Sequence, residues 1–416
     1  MQPLLFKSRS AASFRALLTY RLCVVLCYQL TAVVVGWQVY GLTQSKLALG
    51  LIGLAEVVPY FCCALLAGYA VDHFNKKRLG LIAGVLLLLT TALLLLTSID
   101  GLGIYTTFGL TPIYVAIAIS GVARAFFGPI YNTLMVQLVE RAHYAKAVSI
   151  GATVFQTAQI LGPAIGGGLL ALGNVTLAYG VAMFFVVVGV FSLLSIRAQH
   201  ATVQTDVAHS LRSVWLGIGQ GLRFVFSNQI LLGAMALDMF AVLFGGAMAM
   251  LPAFVNDVLH AGPQALGLLR SAPAFGAFFM GLYLSRKPIA RNAGRILLLS
   301  VAGFGLCMMA FALSHYLWLS MAILGLSGAF DSISVVLRST IMQLSTPDAM
   351  RGRVSSISGI FIGSSNELGA FESGLTASWF GLVPSVLLGG AMTLAVVAVT
   401  AKVSPKLRRL HLNDLL

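Results

Sequence analysis

The run Leu79-Gly-Leu-Ile-Ala-Gly-Val-Leu-Leu-Leu-Leu-Thr-Thr-Ala-Leu-Leu-Leu-Leu-Thr97 contains no charged residue. Since a helix rises about 1.5 Å per residue, this run is long enough to cross a hydrocarbon core of about 30 Å. A strand of a membrane barrel would alternate apolar with polar residues, and this run does not alternate. It therefore predicts a membrane-spanning α-helix.

Similar runs recur along the whole chain of 416 residues, of which 59% are hydrophobic and 9% are charged. Globular domains contain roughly 25% charged residues, so most of this chain is unsuited to water. We expect an all-α integral membrane protein with twelve transmembrane helices. The predicted spans are residues 16–42, 48–71, 79–98, 111–136, 146–171, 174–196, 229–256, 264–285, 295–313, 316–342, 353–379 and 382–401.

The net charge of +14 comes from basic residues that lie singly or in short clusters between the apolar runs. Nucleic-acid binding would instead gather them on one surface, so that function is not expected. Because loops rich in lysine and arginine face the cytoplasm, we expect both termini in the cytoplasm of a multi-pass protein of a bacterial inner membrane. The odd-numbered loops hold essentially Lys46 alone. The termini and even-numbered loops hold Lys7, Arg9, Lys76, Lys77, Arg78, Arg141, Lys146, Arg212, Arg286, Lys287, Arg291, Arg351, Arg353, Lys406, Arg408 and Arg409.

The longest polar stretch lies between Arg197 and Asn228. It predicts a cytoplasmic linker over residues 197–228 between an N-terminal six-helix bundle, residues 1–196, and a C-terminal bundle with a short cytoplasmic tail, residues 229–416. Within the linker, Leu211–Phe226 predicts an amphipathic helix on the membrane surface.

An internal repeat supports two pseudo-symmetric halves. A shift of 207 positions aligns the segment from Gly162 to Gly167 with the segment from Gly369 to Gly374, and places Arg124 at the position equivalent to Asp331. Two homologous halves around a central site are the usual plan of secondary transporters. A channel or a membrane enzyme has less reason to contain such a repeat.

The loop after the second span reads Gly68-Tyr-Ala-Val-Asp72-His-Phe-Asn-Lys76-Lys77-Arg78. It resembles the signature of the major facilitator superfamily between its second and third helices. Gly68 is expected to let a neighbouring helix approach closely. Asn75 replaces the turn glycine of the signature, and we expect it to adopt the left-handed backbone that this residue tolerates.

Asp72 is expected to contact a helix N-terminus, whose partial positive charge favours a carboxylate. The resemblance implies that this helix is the eleventh span, which begins near Arg351 and Arg353, and that the contact closes the cytoplasmic side. An ordinary positive-inside loop is the alternative interpretation.

Arg124 lies about 13 residues into the fourth span, in Gly121-Val-Ala-Arg124-Ala-Phe-Phe-Gly128. An arginine at this depth is costly unless it faces a cavity or a counter-charge. It matches the intramembrane arginine of the superfamily's fourth helix, and the resemblance implies a role in proton coupling. A structural ion pair is the alternative.

The fifth span contains Gly162-Pro163-Ala-Ile-Gly166-Gly167. Proline removes a backbone hydrogen bond and bends a helix, and the glycines allow tight packing against a partner helix. The segment resembles the glycine-proline motif of antiporters in the superfamily, which implies export. Generic small-residue packing is the alternative.

Carboxylic acids inside membrane spans are rare and mark proton pathways. We expect proton coupling to involve Glu56, Asp238, Asp331, Glu367 and Glu372, with Arg124 competing for the deprotonated form. Asp238 and Asp331 are also candidates for pairing with Arg124. Structural pairing is the alternative for each acid.

The segments Asn366-Glu367-Leu-Gly369 and Phe371-Glu372-Ser-Gly374 resemble a drug/proton antiporter-like bacterial exporter branch that includes enterobactin exporters. The resemblance implies proton-coupled export of an amphipathic small molecule, a siderophore or a drug-like compound, by alternating access. A proton-coupled uptake symporter and a gradient-independent lipid-handling protein or scramblase are the alternatives.

Catalysis, zinc binding and nucleotide binding have no support in the sequence. It contains no catalytic triad, no cysteine or histidine at zinc spacing and no phosphate-binding loop. We therefore expect neither an enzyme nor a cofactor or metal. The expected partners are a small-molecule substrate, protons and the lipid bilayer, and the expected state is a monomer.

Overall fold

The computed structural model describes residues 8–196, 211–287, 289, 291–347 and 350–415. In these residues the regular secondary structure is helical. The α-helices are α1 (Ser8–Thr43), α2 (Lys46–His73), α3 (Lys76–Thr97), α4 (Ile104–Phe108), α5 (Thr111–Leu138), α6 (Tyr144–Ala171), α7 (Val175–Leu194), α8 (Leu211–Ser227), α9 (Gln229–Phe244), α10 (Leu251–Asp257), α11 (Pro263–Arg286), α12 (Ala293–Ala312), α13 (Leu317–Leu344), α14 (Arg351–Phe380), α15 (Leu382–Val403) and α16 (Pro405–Arg408).

Within the described residues, eleven helical segments are long and apolar enough to cross a membrane. They coincide with eleven of the predicted spans. The remaining predicted span is α14, which is 30 residues long but is not among the eleven. The all-α membrane fold is therefore confirmed, whereas the count of twelve spans stays a prediction.

Large apolar side chains cover much of the outer surface. Phe184 and Phe191 of α7 are 61% and 65% exposed, and Leu299 of α12 is 68% exposed. Contiguous apolar surface of this kind is unfavourable in water and suits contact with lipid or a partner. The exposed apolar surface thus agrees with the membrane location expected from the hydrophobic composition.

The seventh predicted span, residues 229–256, is interrupted. α9 ends at Phe244, a 3-10 turn covers Ala247–Met250, and α10 follows. Gly245 and Gly246 occupy the break, where glycine has a low helix propensity. Pro252 lies in the first turn of α10, the helical position that tolerates its missing N–H. The segment is therefore a broken span rather than one continuous helix.

The helices group into two compact units. Unit 1 contains the described residues of Met1–Leu42, Ala55–Asp206 and Gly262–Ser271. Unit 2 contains those of Thr43–Leu54, Val207–Ala261 and Ala272–Leu416. The start of α2 therefore belongs to unit 2 and the start of α11 to unit 1, which the predicted boundaries at residues 196 and 229 did not anticipate.

The predicted linker is described only in part. Residues 197–210 lie outside the described residues, whereas the predicted helix over 211–226 is present as α8. α8 belongs to unit 2, where it packs against α9 and α14. Arg353 of α14 donates a hydrogen bond of 2.6 Å to the side chain of Gln220.

Each unit has its own packed interior. In unit 1, α3 packs against α5 and α7, and the Thr90 hydroxyl donates to the carbonyl of Ala116 across 3.2 Å. In unit 2, α12 packs against α13 and α15. Leu237, Leu297 and Ile341 belong to one buried cluster there, and each is at most 1% exposed. These interiors hold the charged residues described next.

Candidate functional site

Unit 1 holds a buried ion pair between Glu56 of α2 and Arg124 of α5. The Nη1 atom of Arg124 lies 2.7 Å from Oε1 of Glu56, and the Tyr28 hydroxyl donates to the same oxygen across 2.8 Å. The side chain of Glu56 is 7% exposed and that of Arg124 is 24% exposed. The carboxylate is therefore paired and hydrogen-bonded in a site with little access for water, which is how a buried charge is tolerated.

The close approach of α2 and α5 positions this pair. Gly121 lies against the backbone of Glu56, where a Cβ atom would collide with the Glu56 carbonyl. Arg124 is three residues further along α5 and therefore projects from the same side of the helix. Its guanidinium carbon lies 5.1 Å and 5.2 Å from the ring centroids of Tyr28 and Tyr60, within the range of cation–π attraction.

The structure pairs Arg124 with an acid that the sequence did not single out as its partner. The sequence suggested Asp331 or Asp238 as counter-charge, but the structure pairs Arg124 with Glu56. The repeat gave no information on this contact, because Arg124 and Glu56 both lie in the N-terminal half. The signal available in the sequence was the presence of two opposite charges within the second and fourth apolar runs.

Unit 2 holds a second buried ion pair, between Asp238 of α9 and Arg338 of α13. The two residues are 5% and 6% exposed. Arg338 is not among the site residues predicted from the sequence. It follows Asp331 by seven residues, which is two helical turns, so the two side chains lie on the same face of α13.

Asp331 lies beside this pair. It lines a small pocket together with Asp238, Ser300 and Ser334. Among the described residues Asp331 has no hydrogen-bond or ion-pair partner, in contrast to Glu56 and Asp238. The pocket therefore contains one paired carboxylate and one that can bind a proton without breaking an ion pair.

Glu367 and Glu372 lie on α14 and are both partly buried. The backbone carbonyl of Glu367 faces Gly53 of α2, where a Cβ atom would lie close to it. The carbonyl of Glu372 accepts a hydrogen bond of 3.0 Å from Thr376. The structure thus places both acids inside unit 2, and their proton-coupling role remains a prediction.

The glycines of the antiporter-like segment in α6 face two different helices of unit 1. A Cβ atom on Gly162 would lie 2.6 Å from the Cβ of Gln29, and one on Gly166 would lie 3.2 Å from the carbonyl oxygen of Leu30. Both contacts are with α1. Gly167 instead faces Gly267 of α11, at 2.6 Å from a Cβ on Gly167 to the Gly267 Cα.

Pro163 lies inside α6, where its ring leaves a carbonyl of the preceding turn without an intrahelical donor. The hydroxyl of Ser271 on α11 lies 2.8 Å from the carbonyl oxygen of Ile160, in that same turn. α11 therefore supplies a polar contact at the point where proline disturbs α6.

Unit 2 repeats the glycine contact. A Cβ atom on Gly374 of α14 would lie 2.6 Å from the Cα of Gly50 on α2. Gly374 is the residue that the 207-position shift aligns with Gly167. Each unit thus contains a glycine-to-glycine contact between a long helix and the start of α2 or α11.

One expectation for the loop after α2 was wrong. Asn75 has φ −64° and ψ 113°, so its backbone is extended rather than left-handed. Its side chain caps α3 by accepting a hydrogen bond of 3.1 Å from the Arg78 N–H, which favours this conformation. At Gly68 a Cβ atom would meet no described atom within 4 Å, and the close helix approach expected there stays a prediction.

Lys77 has a structural contact that the sequence did not indicate. Its ammonium group donates to the carbonyls of Leu194 and Ile196 across 2.6 Å and 2.8 Å. A cation at the C-terminal end of α7 is favoured by the helix dipole. The side chains of Asp72 and Arg351 lie outside the described part of the structure, and Lys76 and Arg78 lie in the first turn of α3.

Known proteins agree with this architecture. The transmembrane secretion effector family matches residues 7–415. The multidrug efflux pump Tap of Mycolicibacterium fortuitum is 26% identical over 401 residues, covering 92% of this chain and 93% of Tap. The enterobactin exporter EntS of Escherichia coli O1:K1 is 26% identical over 406 residues, covering 92% of each chain. The crystal structure of a D-xylose-proton symporter, 12% identical, shares the fold with a TM-score of 0.75 over 96% of this chain and 99% of that one. The chain belongs to the transmembrane secretion effector family, membrane transporters of the major facilitator superfamily.

Proposed function

We propose that this transporter exports an amphipathic small molecule, a siderophore or a drug-like compound, in exchange for protons and by alternating access. The names of Tap and EntS support export of small molecules, since one is an efflux pump and the other an exporter. The observation that carries the proton coupling is the buried pair between Glu56 and Arg124.

A proton bound to Glu56 would convert the ion pair into a neutral acid beside a guanidinium that has lost this carboxylate. In a low-dielectric site the free-energy cost of losing this pairing is large, because the remaining charge is poorly solvated. A conformation that gives Arg124 water or another counter-charge would then be favoured. Proton binding would shift the balance between conformations in this way, and substrate binding from the cytoplasm would shift it back.

Asp331 offers a second proton site in unit 2. Its carboxyl group lines the same pocket as Asp238, whose partner is Arg338. A proton on Asp331 would change the charge beside that pair without removing a described contact of its own. Glu367 and Glu372 on α14 are the further candidates for proton carriage.

The remaining parts of the account are proposals as well. Asp72 and the start of α14 would close the cytoplasmic side. The two six-helix bundles, residues 1–196 and 229–416, would rock around a central site. Both termini would lie in the cytoplasm of a bacterial inner membrane, and the protein would act as a monomer.

Everted membrane vesicles from a host that overproduces the chain test this function. Ethidium serves as a drug-like substrate and enterobactin as a siderophore. We expect ATP-energised vesicles, whose lumen is acidic, to accumulate at least one of the two, and we expect nigericin to abolish the accumulation. Vesicles with Glu56→Gln should exchange substrate across the membrane but should no longer concentrate it.

Three results would contradict the proposal. Accumulation that nigericin leaves unchanged would exclude proton drive. Net accumulation in right-side-out vesicles would indicate an uptake symporter. Equilibration of labelled lipid without any gradient would indicate a scramblase.

A further inference from the structure

Arg21 of α1 is a further arginine of unit 1. The candidate span of α1 begins at Ala11 and the predicted first span at residue 16, so Arg21 lies five to ten residues, or about 8–15 Å of helix, after the start of the span. An arginine at such depth is costly unless it meets a counter-charge, water or a ligand. Its surroundings therefore indicate what it binds.

Two aromatic rings hold the Arg21 guanidinium. Its carbon lies 3.9 Å from the ring centroid of Tyr131 on α5 and 5.2 Å from that of Phe155 on α6. Tyr131 is 4% exposed, so the guanidinium covers a ring that faces the interior of unit 1. Cation–π contacts attract the flat face of the cation and leave its N–H groups free at the edge.

Arg21 differs from Arg124 and Arg338, whose guanidinium groups each meet a carboxylate. Arg124 pairs with Glu56 and Arg338 with Asp238. Within the described residues no acceptor takes a hydrogen bond from Arg21 and no acid forms an ion pair with it. Arg21 as a residue is partly exposed.

A buried hydroxyl completes this cluster. The Tyr131 hydroxyl has no hydrogen-bond partner in the described structure. Gly151 of α6 leaves the space that this hydroxyl occupies, and a Cβ atom there would also lie 3.3 Å from Nη1 of Arg21. The guanidinium and the unpartnered hydroxyl therefore meet at the same point of α6.

We propose that Arg21, Tyr131 and Phe155 bind the anionic oxygens of the exported molecule, as a carboxylate or an ionised phenol on an aromatic framework. This inference rests on the proposed export function and names the chemical class of its substrate. The guanidinium edge matches a planar anion through paired hydrogen bonds. Phe155 adds an apolar surface next to the charge, which suits an amphipathic ligand.

The test compares two ligands of nearly the same shape, 1-naphthoate and the neutral 1-naphthamide, on the purified full-length protein in nanodiscs. Hydrogen bonds to a charged group discriminate strongly, so the unmodified protein should bind naphthoate about tenfold more tightly than naphthamide. Arg21→Gln should lower the naphthoate affinity about tenfold and should leave the naphthamide affinity within about twofold. Arg141→Gln, which removes an exposed loop arginine, should change neither.

Arg21→Lys keeps the charge but lacks the planar fork, so naphthoate affinity should fall at least about threefold. This variant carries the test if Arg21→Gln fails to fold, as judged by size-exclusion chromatography. Equal affinity of the unmodified protein for both ligands would overturn the proposal. So would a naphthoate preference that survives in both Arg21 variants.

The vesicle assay separates this inference from the function on which it rests. Nigericin-sensitive accumulation of ethidium or enterobactin without any naphthoate preference would refute the anion site alone. Loss of that accumulation in the unmodified protein would refute the proposed export.

Discussion

Gly167 of α6 and Gly267 of α11 approach so closely that a Cβ atom on Gly167 would lie 2.6 Å from the Cα of Gly267. Gly374 of α14 and Gly50 of α2 form the equivalent contact in unit 2, also at 2.6 Å. Small residues at a helix contact allow backbones to pack directly, which is a main source of helix association in membranes. The two contacts fix the starts of α11 and α2.

Gly167→Ala should therefore destabilise the protein by about 1–3 kcal/mol, because the added methyl group forces α6 and α11 apart. Gly168→Ala is the matched control, since a Cβ atom at the next position would meet nothing within 4 Å. The control should be neutral or slightly stabilising, as alanine is the better helix former. Thermal unfolding of both variants in nanodiscs measures the difference.

Gly374→Ala should behave as Gly167→Ala does, with Gly359→Ala as its control, because Gly359 also has open space at its Cβ position. Equal unfolding temperatures for Gly167→Ala and Gly168→Ala would show that the close contact does not contribute to stability.

Glu56→Gln should destabilise unit 1 by about 3 kcal/mol, since it leaves Arg124 without its carboxylate in a mostly buried site. This value is at the low end of the range of about 3–5 kcal/mol for removing one partner of a buried ion pair. The low end applies because 24% of the Arg124 side chain is exposed. Tyr28→Phe removes a hydrogen bond and leaves the ion pair, so its effect should be about 1 kcal/mol.

A double-mutant cycle with Arg124→Gln measures the coupling directly. The double variant should be more stable than the sum of the single effects predicts, because no charge is left unpaired. Additive single effects would contradict the buried ion pair.

Asp238→Asn and Arg338→Gln should each destabilise unit 2 strongly, by about 3–5 kcal/mol, because both residues are at most 6% exposed. Asp331→Asn should change stability by less than about 1 kcal/mol, since Asp331 has no described partner to lose. An amide cannot bind a proton as a carboxyl group does, so Asp331→Asn should instead flatten the pH dependence of export. Unfolding and vesicle transport, measured on the same three variants, distinguish the two effects.

Lys77→Gln should lower stability by about 0.5–1 kcal/mol, because the carbonyls of Leu194 and Ile196 lose a charged donor at the end of α7. Lys146→Gln is the control, as Lys146 is an exposed lysine near the start of α6. Chemical unfolding of both variants tests the contact. A Lys77→Gln protein as stable as the control would assign no structural role to this lysine.

Much of the fold could be predicted because the local amino-acid composition is sufficient to identify membrane spans. The charge-free run from Leu79 to Thr97 is α3, and the shift of 207 positions aligned Gly167 with Gly374, which make equivalent contacts. The break after Phe244, in contrast, was not predicted from local composition. There the apolar character continues, but Gly245, Gly246 and Pro252 interrupt the helix.

The partners of charged residues could not be predicted, because they depend on which helices pack together. The sequence offers Asp238 and Asp331 as candidate partners of Arg124, whereas the structure pairs it with Glu56 of α2, which contacts α5 at Gly121. Arg338 lies near the end of an apolar run, where an arginine normally reaches water, so its position alone does not indicate a buried pair. Its spacing of seven residues from Asp331 is the feature of the sequence that places the two on one helix face.

Counter-movement of protons and substrate tests the central claim most directly. The purified protein is reconstituted into liposomes that contain the pH indicator pyranine, and ethidium or enterobactin is then added on one side. The account predicts that substrate entry drives protons out of the lumen for the unmodified protein and that Glu56→Gln abolishes this proton movement. Substrate entry without proton movement in the unmodified protein, or proton movement of equal size in Glu56→Gln, would contradict it.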